Sequence, residues 1–119
     1  MLWFNIIAIF YKNQGFNLST TNATTVLSIN TSSVAIVKDI AVTNTGSTAV
    51  TLDMYVYDYS ASTTYQFIHA SVQGACNGNA AQTVLNLEEG DAILAQSATV
   101  DVIKGVISYA LLDRIGTNG

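Results

Sequence analysis

The stretch SVAIVKDIAVTNTGSTAVTLDMYVYD, residues 33–58, decides the fold. Its apolar residues recur at every second position, the spacing of half-buried β-strands rather than of helices. In the first half Val34, Ile36, Ile40 and Val42 are expected on one face, with Lys38 interrupting them. A lysine there calls either for a bulge that shifts the register or for a sheet edge where its ammonium reaches water. In the second half Val50, Leu52, Met54 and Val56 are expected to point one way and Thr51, Asp53, Tyr55 and Tyr57 the other. Between the halves, NTGST at 44–48 holds the Asn and Gly that suit tight turns, so the sequence predicts a β-hairpin.

Working outward toward the C-terminus, YQFIHASV reads as another strand, QGACNGNAAQ as a long loop of small residues, and TVLNL and AILAQ as short strands. TVDVIKGVISYALL is long enough for two strands broken at Gly105 or one strand bent there. Between Leu87 and Ala92 the sequence reads EEGD. Gly90 is expected to take a positive φ and Asp91 to accept backbone N–H groups within the reversal. Short strands at intervals of about ten residues, with turn signals between them, predict a β-sandwich or jelly roll.

Toward the N-terminus, NLSTTNATTV reads as a linker, which puts the start of the compact domain near Thr24. Ahead of it MLWFNIIAIFYKNQGF is too short an apolar run to span a bilayer, and no positive charge precedes it as in a secretory signal. Leu2, Trp3, Phe4, Ile6, Ile7, Ile9, Phe10 and Tyr11 must nonetheless bury against something, either a neighbouring subunit, as a docking arm, or the chain's own core, as a first strand. The favoured expectation is an all-β, single-domain antiparallel β-sandwich or jelly roll over 24–119, with an apolar N-terminal arm and linker over 1–23.

Composition narrows the function. Of the 119 residues 50% are hydrophobic and only 10% charged, where an ordinary soluble domain carries about 25% charged. Ser, Thr and Asn fill the polar positions, which suits a subunit packed among others. The net charge is −4, and Lys12, Lys38, Lys104 and Arg114 are scattered, so no basic stripe exists to neutralise phosphates. The lone cysteine, Cys76, has no partner in the chain for a disulfide and no second cysteine at metal-ligand spacing. The lone histidine, His69, could be drawn with Asp53 or Asp58 and a serine as a triad, but no nucleophile-elbow motif accompanies it. Glu88, Glu89 and Asp91 lack EF-hand spacing. The expectation is a chain that is not an enzyme, with no catalytic residue, cofactor or metal site and no nucleic-acid or membrane partner. Tyr55 and Tyr57 on the outer strand face, with Trp3, Phe4, Phe10 and Tyr11, are the candidate partner contacts.

The order YKNQGFNLSTT, TVLSINTSSVAIVKDIAVTNTGSTAVTLDMYV, LNLEEGDAILAQS and VDVIKGVISYAL resembles the small β-sandwich virion structural proteins of tailed bacteriophages, across Tyr11 to Leu112. The resemblance implies a structural subunit located in the virion: a capsid decoration or cement protein, or a neck or tail component. Its partners would be other virion proteins and copies of itself. A tail-fibre component with a receptor- or carbohydrate-binding role, using Tyr55, Tyr57, Tyr59 and Tyr65 as stacking platforms, is the alternative.

Overall fold

The computed structural model describes residues 6–81 and 84–115. Nine strands run through them: β1 (Ile6–Asn17), β2 (Thr24–Ser28), β3 (Ser33–Asn44), β4 (Val50–Asp58), β5 (Thr63–Val72), β6 (Cys76–Ala81), β7 (Leu85–Leu87), β8 (Ala92–Ser97) and β9 (Ile103–Ile115). The first sheet has the order β1-β9-β3-β6, with β7 also paired to β3, and the second has the order β2-β8-β4-β5. Every pairing is antiparallel. β6 and β7 lie along successive parts of one edge of β3, like one interrupted strand. Counted so, eight strands wind between two four-stranded layers, which is jelly-roll topology.

The core lies between the layers. From the first sheet come Val37, Ile40, Val42, Ile103 and Ile107, and from the second Leu52, Met54, Ile68 and Ile93. Alternation holds in β4, whose Val50, Leu52 and Met54 are buried while Thr51, Asp53 and Tyr55 are half-buried on the other side. In β3 the outcome is different. The β3–β9 register shifts between Val37 and Asp39, so a bulge falls on Lys38. Before it the buried residues are Ala35 and Val37, and after it Ile40 and Val42. Val34 and Ile36 therefore face outward, against the expectation, because the extra residue at the bulge turns the faces over.

The expected hairpin at NTGST is a crossover instead: β3 lies in the first sheet and β4 in the second. Strict alternation looks the same whether two strands pair edge to edge or stack face to face. The corner is held by Asn44, fully buried, whose Nδ2 donates to the carbonyls of Thr48 (2.8 Å) and Val72 (3.0 Å) while its Oδ1 accepts from Gly46 N–H (2.9 Å). The stretch expected as a loop, QGACNGNAAQ, contains strand β6. Its small residues gave no alternation to read. β9 is continuous through Gly105, where a Cβ would lie 2.3 Å from the Phe16 ring and 2.9 Å from the Ala41 carbonyl oxygen.

The boundary expected near Thr24 is not where the sheet begins. β1 pairs with β9 from Ile6↔Ile115 to Asn17↔Lys104 without a break, and Leu18, just beyond it, is buried in the core. Residues 6–17 thus form the outer strand of the first sheet, with β9 as a full-length partner. Trp3 and Phe4 lie outside the described residues.

Candidate interaction site

β1 is the outer strand of the first sheet, and its far side carries no partner strand among the described residues. From Ile6 to Asn17 it holds one ionised side chain, Lys12, and no proline. Natural edges are usually blunted by charge, proline, bulges or shortness. This one is long and has little of that protection. Register and alternation place Phe10, Lys12, Gln14 and Phe16 on the core-facing side, and Ile9, Tyr11 and Asn13 on the outer side. Only Phe16 is packed against the core, over Gly105. Ile9 is 57%, Phe10 47% and Tyr11 78% exposed, so apolar surface shows on both faces of the strand.

The lysine that interrupts β3 reaches this edge. Lys38 Nζ stands 5.2 Å from the centroid of the Tyr11 ring, a cation–π contact worth about 0.5–1 kcal/mol at an exposed site. Tyr11, Lys12, Asn13, Lys38, Ser108 and Tyr109 line an open groove of about 260 Å³ there. Ile9 was among the apolar residues expected to need burial, whereas the Lys38–Tyr11 contact was not singled out from sequence. Only the bulge, which aims Lys38 outward, reveals that contact.

The tyrosines do not form one platform. Tyr55 and Tyr57 share the outer face of the second sheet, and Tyr55 Oη donates to Gln96 Oε1 at 3.0 Å. Tyr65 is paired with Val56, whose side chain packs against the core, so its ring lies on the opposite face of the sheet. Tyr59 has moved to the acidic turn, where its ring lies against the backbone of Gly90.

That turn is built as the sequence implied. Gly90 has φ +84°. Asp91 is buried, its Oδ1 accepting from Tyr59 N–H (3.0 Å) and its Oδ2 from Glu88 N–H (2.8 Å). Gly90 N–H donates to Asn30 O (3.2 Å), and Ile29 N–H to Asp91 O (2.9 Å), which ties the turn to the end of β2. The turn also brings Asp58 into the group, so that carboxylate oxygens of Asp58, Glu88 and Asp91 lie within 4.8 Å of one another. Asp58 stands 30 positions from Glu88 in sequence, and nothing local signalled their meeting.

His69 lies on the outer face of the second sheet, its Nδ1 bonded to Asp53 Oδ1. The same carboxylate oxygen accepts from Gln66 Nε2 at 2.8 Å. The imidazole side chain is 73% exposed. The imidazole thus stands open to water and outside any desolvated cleft of the kind that strengthens a catalytic base.

No protein-family model matches the chain, and no curated protein matches it. Several solved structures share its fold. A Bacillus endospore appendage protein, from a family of disulfide-linked pili, superposes with a TM-score of 0.57 at 11% identity, over 94% of this chain and 91% of its own. The capsid structure of Helicobacter pylori bacteriophage KHP30 gives 0.53 at 7% identity, over 98% of this chain and all of the other. Infectious bursal virus derived T=1 particles give 0.52 at 9% identity, with 92% of this chain matched to 32% of theirs. At such identities the likeness is one of fold.

Proposed function

We propose that this chain is a non-enzymatic structural subunit of a tailed-phage virion, added to the shell as a decoration or cement protein that stabilises it by subunit contacts. The observation that carries the reading is the β1 edge: a long, nearly uncharged strand at the rim of a jelly roll, exposing Ile9, Phe10 and Tyr11. Exposed apolar edges of this kind favour association over life as a dilute monomer. A phage capsid and a pilus protein among the structures of like fold support the assembly role. The apolar residues ahead of β1 in sequence, Trp3 and Phe4 among them, serve as further docking contacts in this reading.

The test is to locate the protein in purified virions by mass spectrometry and cryo-electron microscopy, and to compare the heat resistance of shells with and without it. Virions that contain the chain on the shell and lose heat resistance without it are expected. Its absence from purified virions would sink the proposal. A neck, tail or fibre role is the second reading, favoured by Tyr55 and Tyr57 on the open outer face of the second sheet. A reconstruction that places the chain off the shell would select it.

A further inference from the structure

We infer that β1 pairs with β1 of a second copy, antiparallel and about a two-fold axis at Phe10, joining the two first sheets into one. The inference rests on the proposed function only in taking β1 as a contact edge. The chemistry asked of the partner is that of a strand: alternating backbone donors and acceptors, flanked on both faces by apolar side chains. β1 itself has that chemistry.

Symmetry limits the register. A two-fold axis relating two antiparallel strands passes through the middle of a residue pair, so one residue must face its own copy. The exposed centre of β1 offers Ile9, Phe10, Tyr11 or Lys12. An axis at Lys12 sets two ammonium groups directly opposite, which is destabilising. An axis at Tyr11 leaves the two Lys12 only about 7 Å apart along the strands, inside the screening length of about 8 Å at physiological salt. It also gathers both Lys38 side chains, each already over a Tyr11 ring. An axis at Phe10 spaces the Lys12 pair by about 14 Å along the strands, beyond that screening length. It sets Phe10 on Phe10 and Ile9 on Tyr11, aromatic and aromatic-to-β-branched pairs of the kind that stabilise sheets. An axis at Ile9 also separates the lysines but shortens the paired segment from positions 6–14 to positions 6–12.

The size of the contact sets its strength. Positions 6–14 span about 30 Å of strand and a sheet about 10 Å thick, roughly 300 Å² per copy, against about 800 Å² per partner in a standard stable interface. The isolated chain is therefore expected to dimerise weakly, between about 10 µM and 1 mM.

The experiment uses the full chain. Analytical ultracentrifugation across that concentration range is expected to show a monomer–dimer equilibrium. Phe10→Lys should abolish it while leaving circular dichroism unchanged. In a Cys76→Ser background, Phe10→Cys should form a disulfide-linked dimer under mild oxidation at least tenfold faster than Tyr65→Cys, an exposed control on the other sheet. A mixture of Ile9→Cys and Tyr11→Cys chains should cross-link to each other in preference to themselves. A chain that stays monomeric throughout, a dimer that survives Phe10→Lys, or cross-linking no faster at Phe10 than at Tyr65 would overturn the inference. If Phe10→Lys loses its fold, the two cross-linking comparisons decide alone. A monomeric chain that is nonetheless found in virions overturns the dimer and leaves the structural-subunit reading standing. A dimer absent from virions does the reverse.

Discussion

Replacing Asp91 tests whether the acidic turn is a structural joint. Each of its carboxylate oxygens accepts one backbone N–H, from Tyr59 at 3.0 Å and Glu88 at 2.8 Å, at a buried position. A hydrogen bond to a charged group contributes about 1.5–3 kcal/mol, so Asp91→Ala forfeits about 3–6 kcal/mol in all. Removing one carboxylate from the Asp58–Glu88–Asp91 group also relieves like-charge repulsion, which offsets part of that loss. The net loss is then about 2–5 kcal/mol, a large share of the 5–15 kcal/mol typical of a folded domain. Asp91→Asn keeps one acceptor and turns an amide N–H₂ toward the other donor, so it should lose about half as much. Urea denaturation followed by circular dichroism reads this as a lower midpoint at unchanged slope, by about 1–2 M for Asp91→Ala. Calcium and chelator should leave the parent's midpoint where it is. A calcium site at a hundredfold excess over its dissociation constant would add about 2.7 kcal/mol. That gain in the parent, lost in Asp91→Ala, would refute the reasoning. So would an Asp91→Ala chain within about 0.5 kcal/mol of the parent, the scatter of surface substitutions.

Further outcomes follow from other contacts. Deleting residues 1–11 should leave the sandwich folded by circular dichroism with a melting point only a few degrees lower, because the described core takes nothing ahead of Phe16; aggregation of the truncated chain would show that the segment covers core. Gly105→Ala should cost about 1–3 kcal/mol, as overpacking does, because its Cβ meets the Ala41 carbonyl at 2.9 Å as well as the Phe16 ring; a melting point unchanged from the parent's would contradict this. Asn44→Asp should destabilise more than Asn44→Ala, since it aims a carboxylate at the two carbonyls that now accept from Nδ2, and equal midpoints in urea would tell against it. His69→Gln should change stability by less than about 1 kcal/mol, as exposed pairs do, which a thermal melt checks.

The strands were legible wherever alternation was strong, as in β4, and so was the turn chemistry of Gly90 and Asp91, because both are local. What the sequence hid was which strands are neighbours. NTGST gives the same signal for a hairpin and for a corner between layers, and what separates the two readings is Asn44 reaching Val72, 28 positions away. The face inversion in β3 was legible only as a choice, since Lys38 signalled either a bulge or an edge position. The edge position belongs to β1, whose own pairing depends on β9, nearly the whole chain distant. Asp58 joining the acidic turn was hidden for the same reason.

β9 lies between β1 and β3, yet it is made after both. While the chain is being synthesised, the first sheet lacks its middle strand, and β1 and β3 wait with apolar edges unsatisfied until residues 103–115 arrive. Contacts this distant along the chain slow folding, and unpaired edges are where nascent proteins stick to one another. The topology thus makes the timing of synthesis part of the protein's fate. A cell producing many copies at once holds many half-built sheets, and the speed with which residues 103–115 arrive sets how long those edges can find one another.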